Sequence, residues 1–121
     1  MKHDLLILKT LWALGNIAGD SKENRIILFQ WNVFELLVET LLKYMEKPNE
    51  FRGVLQHGVW FLSNICRDKP ISDNMKTYKA IPLFCQFAEI FYDDTYILTD
   101  ISWALLQLAL IYISLNQFCR F

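Results

Sequence analysis

The chain has 121 residues, of which 54% are hydrophobic and 15% aromatic, with 12 Lys and Arg against 13 Asp and Glu for a formal net charge of −1. That composition excludes a disordered tail, and the near-neutral balance excludes the broad basic footprint that nucleic-acid binding or an anionic membrane surface calls for. Only 4 Gly and 3 Pro beside so many aromatics point to long packed helices and away from a turn-rich β fold.

The first apolar stretch predicts a helix over 4–19, carrying Trp12 and Asn16. The polar run Asp20-Ser21-Lys22-Glu23 breaks it. Ser21 is placed to cap a helix from Glu23 to Gln30, and Asn32 to cap the next, Val33 to Tyr44. In that second helix Phe34, Leu37, Val38, Leu41, Leu42 and Met45 follow i, i+3, i+4 spacing, which predicts one core face. The segment from Glu46 to Glu50, with Pro48, ends it. A third helix carries Val54, Val59, Phe61, Leu62 and Ile65 until Arg67-Asp68-Lys69-Pro70 interrupts the pattern. The cycle then repeats: Asp73 or Asn74 starts a short helix, Pro82 suits the first turn of one running through Phe91, Asp93-Asp94 makes a turn, and a last helix begins near Tyr96.

From Ile101 to Cys119 the last helix is uncharged for 19 residues, close to the length of a membrane span. Ser102, Gln107, Ser114, Asn116 and Gln117 are spread along it, and the acids Asp93, Asp94 and Asp100 precede it where a basic cluster would be needed. A helix buried within an all-α stack is the expectation, with a membrane helix as the lesser alternative.

Three cysteines, Cys66, Cys85 and Cys119, form an odd set at wide spacing, and His3 and His57 are the only histidines. Neither a disulfide framework nor a structural zinc site is expected from that set; three buried small hydrophobes in a reduced intracellular compartment are. Near the N-terminus there is no small-residue cleavage site of a secretory signal. His57 has no acid or nucleophile at a telling spacing, and no triad, phosphate loop or carboxylate pair can be assembled, so neither an enzyme nor a cofactor or metal site is read.

Self-similarity carries more. Trp12, Trp60 and Trp103 stand 48 and 43 residues apart, each on an apolar helical stripe with a carboxamide four residues later: Asn16, Asn64 and Gln107. Helical units repeating at a period in the forties predict an armadillo or HEAT type solenoid. The seven helices then read as the third helix of one repeat at 4–19, a full repeat at 20–67 and another at 68–118, one all-α unit over 1–121 of about two and a half repeats in a right-handed solenoid. Neither end has a polar capping unit, so a piece of a longer solenoid that associates in isolation is expected. Residues at i and i+4 share a helix face, so the repeats set up a row of indole shelves and a row of carboxamides. Carboxamides can grip the N–H and C=O of an extended peptide, and the slots between indoles accept the stem and cation of Lys or Arg.

On the stretches W-A-L-G-N-I-A-G-D at 12–20, W-F-L-S-N-I-C-R at 60–67 and T-D-I-S-W-A-L at 99–105, the sequence resembles the central armadillo repeats of importin α, the adaptor family that binds nuclear localisation signals. The resemblance covers the chain to about Leu106. It implies that Trp12, Trp60 and Trp103 wall slots for basic side chains, that Asn16 and Asn64 hold the peptide backbone, that Asp20 pairs with the key lysine of the signal, and that Asp100 is a further groove acid. It also implies Lys/Arg-rich signal peptides of cargo proteins as partners and work in cytoplasm and nucleus. The basic N-terminal segment through which such adaptors bind importin β is absent from the sequence, so importin β is not expected to bind this chain directly. The sequence departs from the family at Lys9 and His57, one turn before Trp12 and Trp60, where the family places uncharged amides, and at Gln107, where it places a tyrosine. The alternative is an armadillo-repeat interaction fragment that has lost cargo binding.

Overall fold

The computed structural model describes the backbone at residues 2–67 and 74–119 and the side chains at 3–67 and 77–113. It contains α1 (Lys2–Asp20), α2 (Lys22–Gln30), α3 (Val33–Tyr44), α4 (Arg52–Ile65), a short 3₁₀ helix (Asn74–Lys79), α5 (Ala80–Ile90) and α6 (Thr95–Cys119), with no strand among the described residues. The charged break at 68–70 and the helix start at Asp73 lie outside the described residues.

A single residue separates α1 from α2. Ser21 is extended (φ −153°, ψ 157°), and its hydroxyl accepts from the Asn24 backbone N–H at 3.1 Å, the cap anticipated from sequence. The end of α1 is closed by side chains from elsewhere. Asn24 Nδ2 donates to the Ile17 carbonyl at 3.2 Å, the buried Arg25 Nη1 to Ala18 at 2.6 Å and Arg67 Nη1 to Gly19 at 3.3 Å. Three of the four carbonyls that a helix C-terminus leaves without partners are thereby satisfied, two of them by cations that also suit the negative end of the helix dipole.

Two local expectations are corrected. Asn32 makes no side-chain cap; it lies in the left-handed region at φ 59°, and its carbonyl accepts from Leu36 N at 3.2 Å. The two-residue turn between α2 and α3 needs a left-handed residue, and Asn tolerates that conformation better than most side chains. The short helix before α5 is 3₁₀, a form suited to a six-residue piece that runs straight into an α-helix. Pro82 does fall in the first turn of α5, where its missing N–H costs little.

The core lies where α4 meets its neighbours. Phe34, Leu37 and Leu41 of α3, Leu55, Val59, Phe61, Leu62 and Ile65 of α4, Phe84 and Phe87 of α5, and Phe91 are all buried, each contributing on the order of 1.5–3 kcal/mol by leaving water. Leu42, expected on the core stripe of α3, is 49% exposed; Tyr44 takes the burial instead, its ring edge-on to Phe51 with centroids 4.8 Å apart. Ile97, Ile101, Ala104, Leu108 and Ile111 make a buried stripe along α6. The stretch Thr95–Ile113 is nevertheless long and apolar enough to cross a membrane by length and composition, with 28% of it buried within the fold, and Leu106, Leu110 and Ile113 are exposed. Of the cysteines, Cys66 is buried, and burial pushes its thiol up to about 12; Cys85 is exposed, against expectation, because it lies on the solvent side of α5, and the Cys119 side chain lies outside the described residues.

Candidate peptide-binding groove

The helices α1, α4 and α6 pack in that order, with α4 between the other two, and each carries one tryptophan of the repeat. Trp12 and Trp103 are 56% and 61% exposed, whereas Trp60 is half-buried. Gly15 explains the difference. A Cβ on Gly15 would overlap the six-membered ring of Trp60, so the indole lies directly on the α1 backbone. One turn on, a Cβ on Gly19 would come within 3.0 Å of Asn64 Nδ2, which itself donates to the Gly15 carbonyl at 3.0 Å. Gly15 and Gly19 are spaced four apart on α1, as Trp60 and Asn64 are on α4, and the two pairs interlock.

Two recesses flank Trp60 along this face. The larger, with a volume of about 790 Å³, is lined by Trp12 of α1, Gln56, His57 and Trp60 of α4, and Thr95, Tyr96, Thr99 and Asp100 of α6. The smaller, of about 320 Å³, lies between Trp60 and Trp103 and is lined also by Ser63, Asn64, Arg67, Asp100 and Gln107. Trp60 and Asp100 belong to both. Of the seven residues singled out from sequence, Trp12, Trp60, Asn64, Asp100 and Trp103 are therefore gathered along one groove. Asn16 and Asp20 line neither recess; both are exposed on α1, and Asp20 Oδ2 accepts from Asn24 Nδ2 at 3.5 Å.

Asp100 is the electrostatic centre of the groove. Its carboxyl is pushed up to about 6, first by burial and second by the charge of Asp94. Asp94 is fully engaged: its Oδ2 pairs with Arg52 Nη1 at 2.8 Å, and its Oδ1 caps α6 by accepting from the N–H groups of Tyr96 and Ile97 at 3.1 and 3.2 Å. Arg52 also stacks on Phe91 at 4.9 Å, fixing the start of α6 against α4. Asp100 by contrast is a partly desolvated carboxylate at the mouth of two aromatic recesses, an arrangement that a cation entering between the indoles would stabilise. His57 Nδ1 lies 3.0 Å from the Gly53 carbonyl; a carbonyl only accepts, so Nδ1 is the donor in this contact.

Gln56, Tyr96 and Thr99 were not anticipated, although a signal for them exists. Gln56 is four residues before Trp60, and Thr99 and Tyr96 are four and seven before Trp103, so each shares a helix face with its tryptophan. Arg67 was read only as part of a helix break.

A stack of helices presenting one tryptophan per third helix along a continuous groove defines an all-α armadillo solenoid. Among curated proteins, the chain is 35% identical over 103 residues to the probable importin subunit alpha-A of Dictyostelium discoideum, an alignment covering 78% of this chain and 18% of that protein. It is 34% identical over 101 residues to importin subunit alpha-6 of Arabidopsis thaliana and 33% identical over 104 residues to importin subunit alpha-1b of Oryza sativa subsp. japonica, each covering 84% of this chain and 18% of the relative. No protein-family model matches the sequence, and no solved structure gives a significant match. The chain is an importin α-like armadillo-repeat chain, and it spans about a fifth of the length of these relatives.

Proposed function

We propose that the groove binds extended Lys/Arg-rich peptides, the nuclear localisation signals of cargo proteins, and that the chain acts as an importin α-like adaptor in protein import, moving between cytoplasm and nucleus. In this reading it comprises the third helix of one repeat at 4–19 and full repeats at 20–67 and 68–118. The observation that carries the reading is Asp100, partly desolvated and shared by the Trp12–Trp60 and Trp60–Trp103 recesses. Trp12, Trp60 and Trp103 wall the slots for aliphatic stems and cations. Asn16 offers a whole carboxamide to the peptide backbone, while Asn64, with one N–H committed to Gly15, offers Oδ1 and its second N–H. Asp20 supplies a second acid beyond the groove. No catalytic step belongs to this function.

One observation favours the alternative of an interaction fragment that has lost cargo binding: Arg67 lines the Trp60–Trp103 recess, where it opposes an incoming cation. Fluorescence anisotropy with a labelled Lys/Arg-rich peptide separates the two. The adaptor reading expects saturable binding that Asp100→Asn weakens by about 1–3 kcal/mol at unchanged helical content. Absence of binding by the helical parent chain establishes the alternative.

A further inference from the structure

Three residues at equivalent positions relative to the tryptophan row differ in charge. Lys9, His57 and Asp100 each stand three residues before a tryptophan, Trp12, Trp60 and Trp103, and so share its helix face about one turn towards the N-terminus. Two of the three placements are visible directly: His57 lines the larger recess beside Trp60, and Asp100 lines the smaller one beside Trp103. Lys9 is exposed at the same step of α1. Since the helices pack in the order α1, α4, α6, these positions run from a lysine through an imidazole to a carboxylate.

The gradient is that of these three equivalent positions. Arg52, at the start of α4, is paired with Asp94; Arg67, just past the end of α4, donates to the Gly19 carbonyl and also lines the smaller recess beside Asp100, at the opposite end of α4 from His57. On α1, Asp4 lies near Tyr44, whose hydroxyl is pushed up first by burial and second by Asp4, and Asp20 is about three turns past Lys9 and engaged with Asn24.

Resting on the peptide-binding reading above, we infer that the groove selects a peptide of mixed charge, with its basic residue at Asp100 and an acidic residue at Lys9. Two helix-packing steps of roughly 8–10 Å separate Lys9 from Asp100, and an extended chain advances about 3.3 Å per residue, so the two peptide charges stand about five or six residues apart. A uniformly basic peptide places a cation against Lys9 and is the poorer ligand.

The test uses fluorescein-labelled ten-residue peptides made in both chain directions, with Lys-Lys-Arg at one end and either Glu or Lys about six positions away, titrated by anisotropy at low salt. The parent chain is expected to bind the Glu peptide about three- to tenfold more tightly than the Lys peptide, as partly solvated charge pairs allow. Lys9→Glu is expected to invert the preference. Lys43→Glu, an equal change in net charge on the outer face of α3, is expected to leave it intact. Equal affinity of the parent for both peptides, or an inversion by Lys43→Glu as large as that by Lys9→Glu, overturns the inference while leaving peptide binding standing. A helical parent that binds neither peptide overturns both.

Discussion

The close approach of α1 and α4 rests on the missing side chain at Gly15, and alanine substitution measures it. Gly15→Ala should have two opposing effects. Alanine is about 0.8–1 kcal/mol better than glycine in a helix interior, but its Cβ would overlap the ring of Trp60, which has to swing off Gly15 or push the helices apart. Overpacking of that kind costs about 1–3 kcal/mol. Gly53 supplies the reference, because a Cβ there meets only Leu8 Cδ1 at 3.4 Å, an ordinary contact, so Gly53→Ala gains propensity without the clash. Urea unfolding followed by circular dichroism should therefore place Gly15→Ala below Gly53→Ala, by the overpacking cost of about 1–3 kcal/mol less the extra propensity gained at an interior position over Gly53 in the first turn of α4. In a Trp60→Ala background the penalty at Gly15 should disappear, since the two residues act on one contact. Equal stability of the two glycine variants, or a Gly15→Ala penalty that survives removal of Trp60, would refute the interlocked packing on which the groove is built.

Three further outcomes follow from the charges around α6. The carboxyl of Asp100 is raised in the folded chain to about 6 from an ordinary 3.8, so the folded state holds the proton more tightly; stability from this group is complete below pH 3.8 and is lost as pH rises through about 6. At pH 7 Asp100→Asn should accordingly stabilise the chain by about 1 kcal/mol once solvent screening is allowed for, and the difference from the parent should close by pH 4 in urea melts. A cationic peptide held at Asp100 shows the opposite sign, with affinity falling as pH drops through about 6. Arg52→Ala removes the 2.8 Å pair with Asp94 and the stack on Phe91, leaving a carboxylate that is 11% exposed without its cation. A loss of about 1–3 kcal/mol in urea melts is expected, because an uncompensated buried charge costs more than the pair itself is worth.

Helix order and the tryptophan row were legible because both are periodic. The stripe Phe34, Leu37, Leu41 repeats at the pitch of a helix, and Trp12, Trp60 and Trp103 repeat at the pitch of the stack, so each signal is carried by several residues at once. Asn32 and Leu42 were misread for want of such redundancy. Asn32 offers either a side-chain cap or a left-handed backbone, and only the two-residue turn decides between them; Leu42 fits the helical spacing of the stripe but falls outside what α4 covers. Long-range bonds left no local trace. Arg67 closes the end of α1, 48 positions earlier in the chain, while reading locally as part of a helix break. Asn64 looked like a free carboxamide and instead ties α4 to Gly15. The raised carboxyl of Asp100 depends on burial and on Asp94 together, a combination that sequence spacing does not express.

The central claim, that a basic peptide lies along α1, α4 and α6, can be read from the four indole N–H signals of the chain in a ¹⁵N-labelled NMR titration with a Lys/Arg-rich peptide. Trp12, Trp60 and Trp103 border the recesses, whereas Trp31, 71% exposed at the end of α2, borders neither and serves as the internal control. Saturable shifts of the three groove indoles with Trp31 unmoved are the predicted result. Shifts confined to Trp31, equal shifts of all four, or none at all in folded protein would contradict the account.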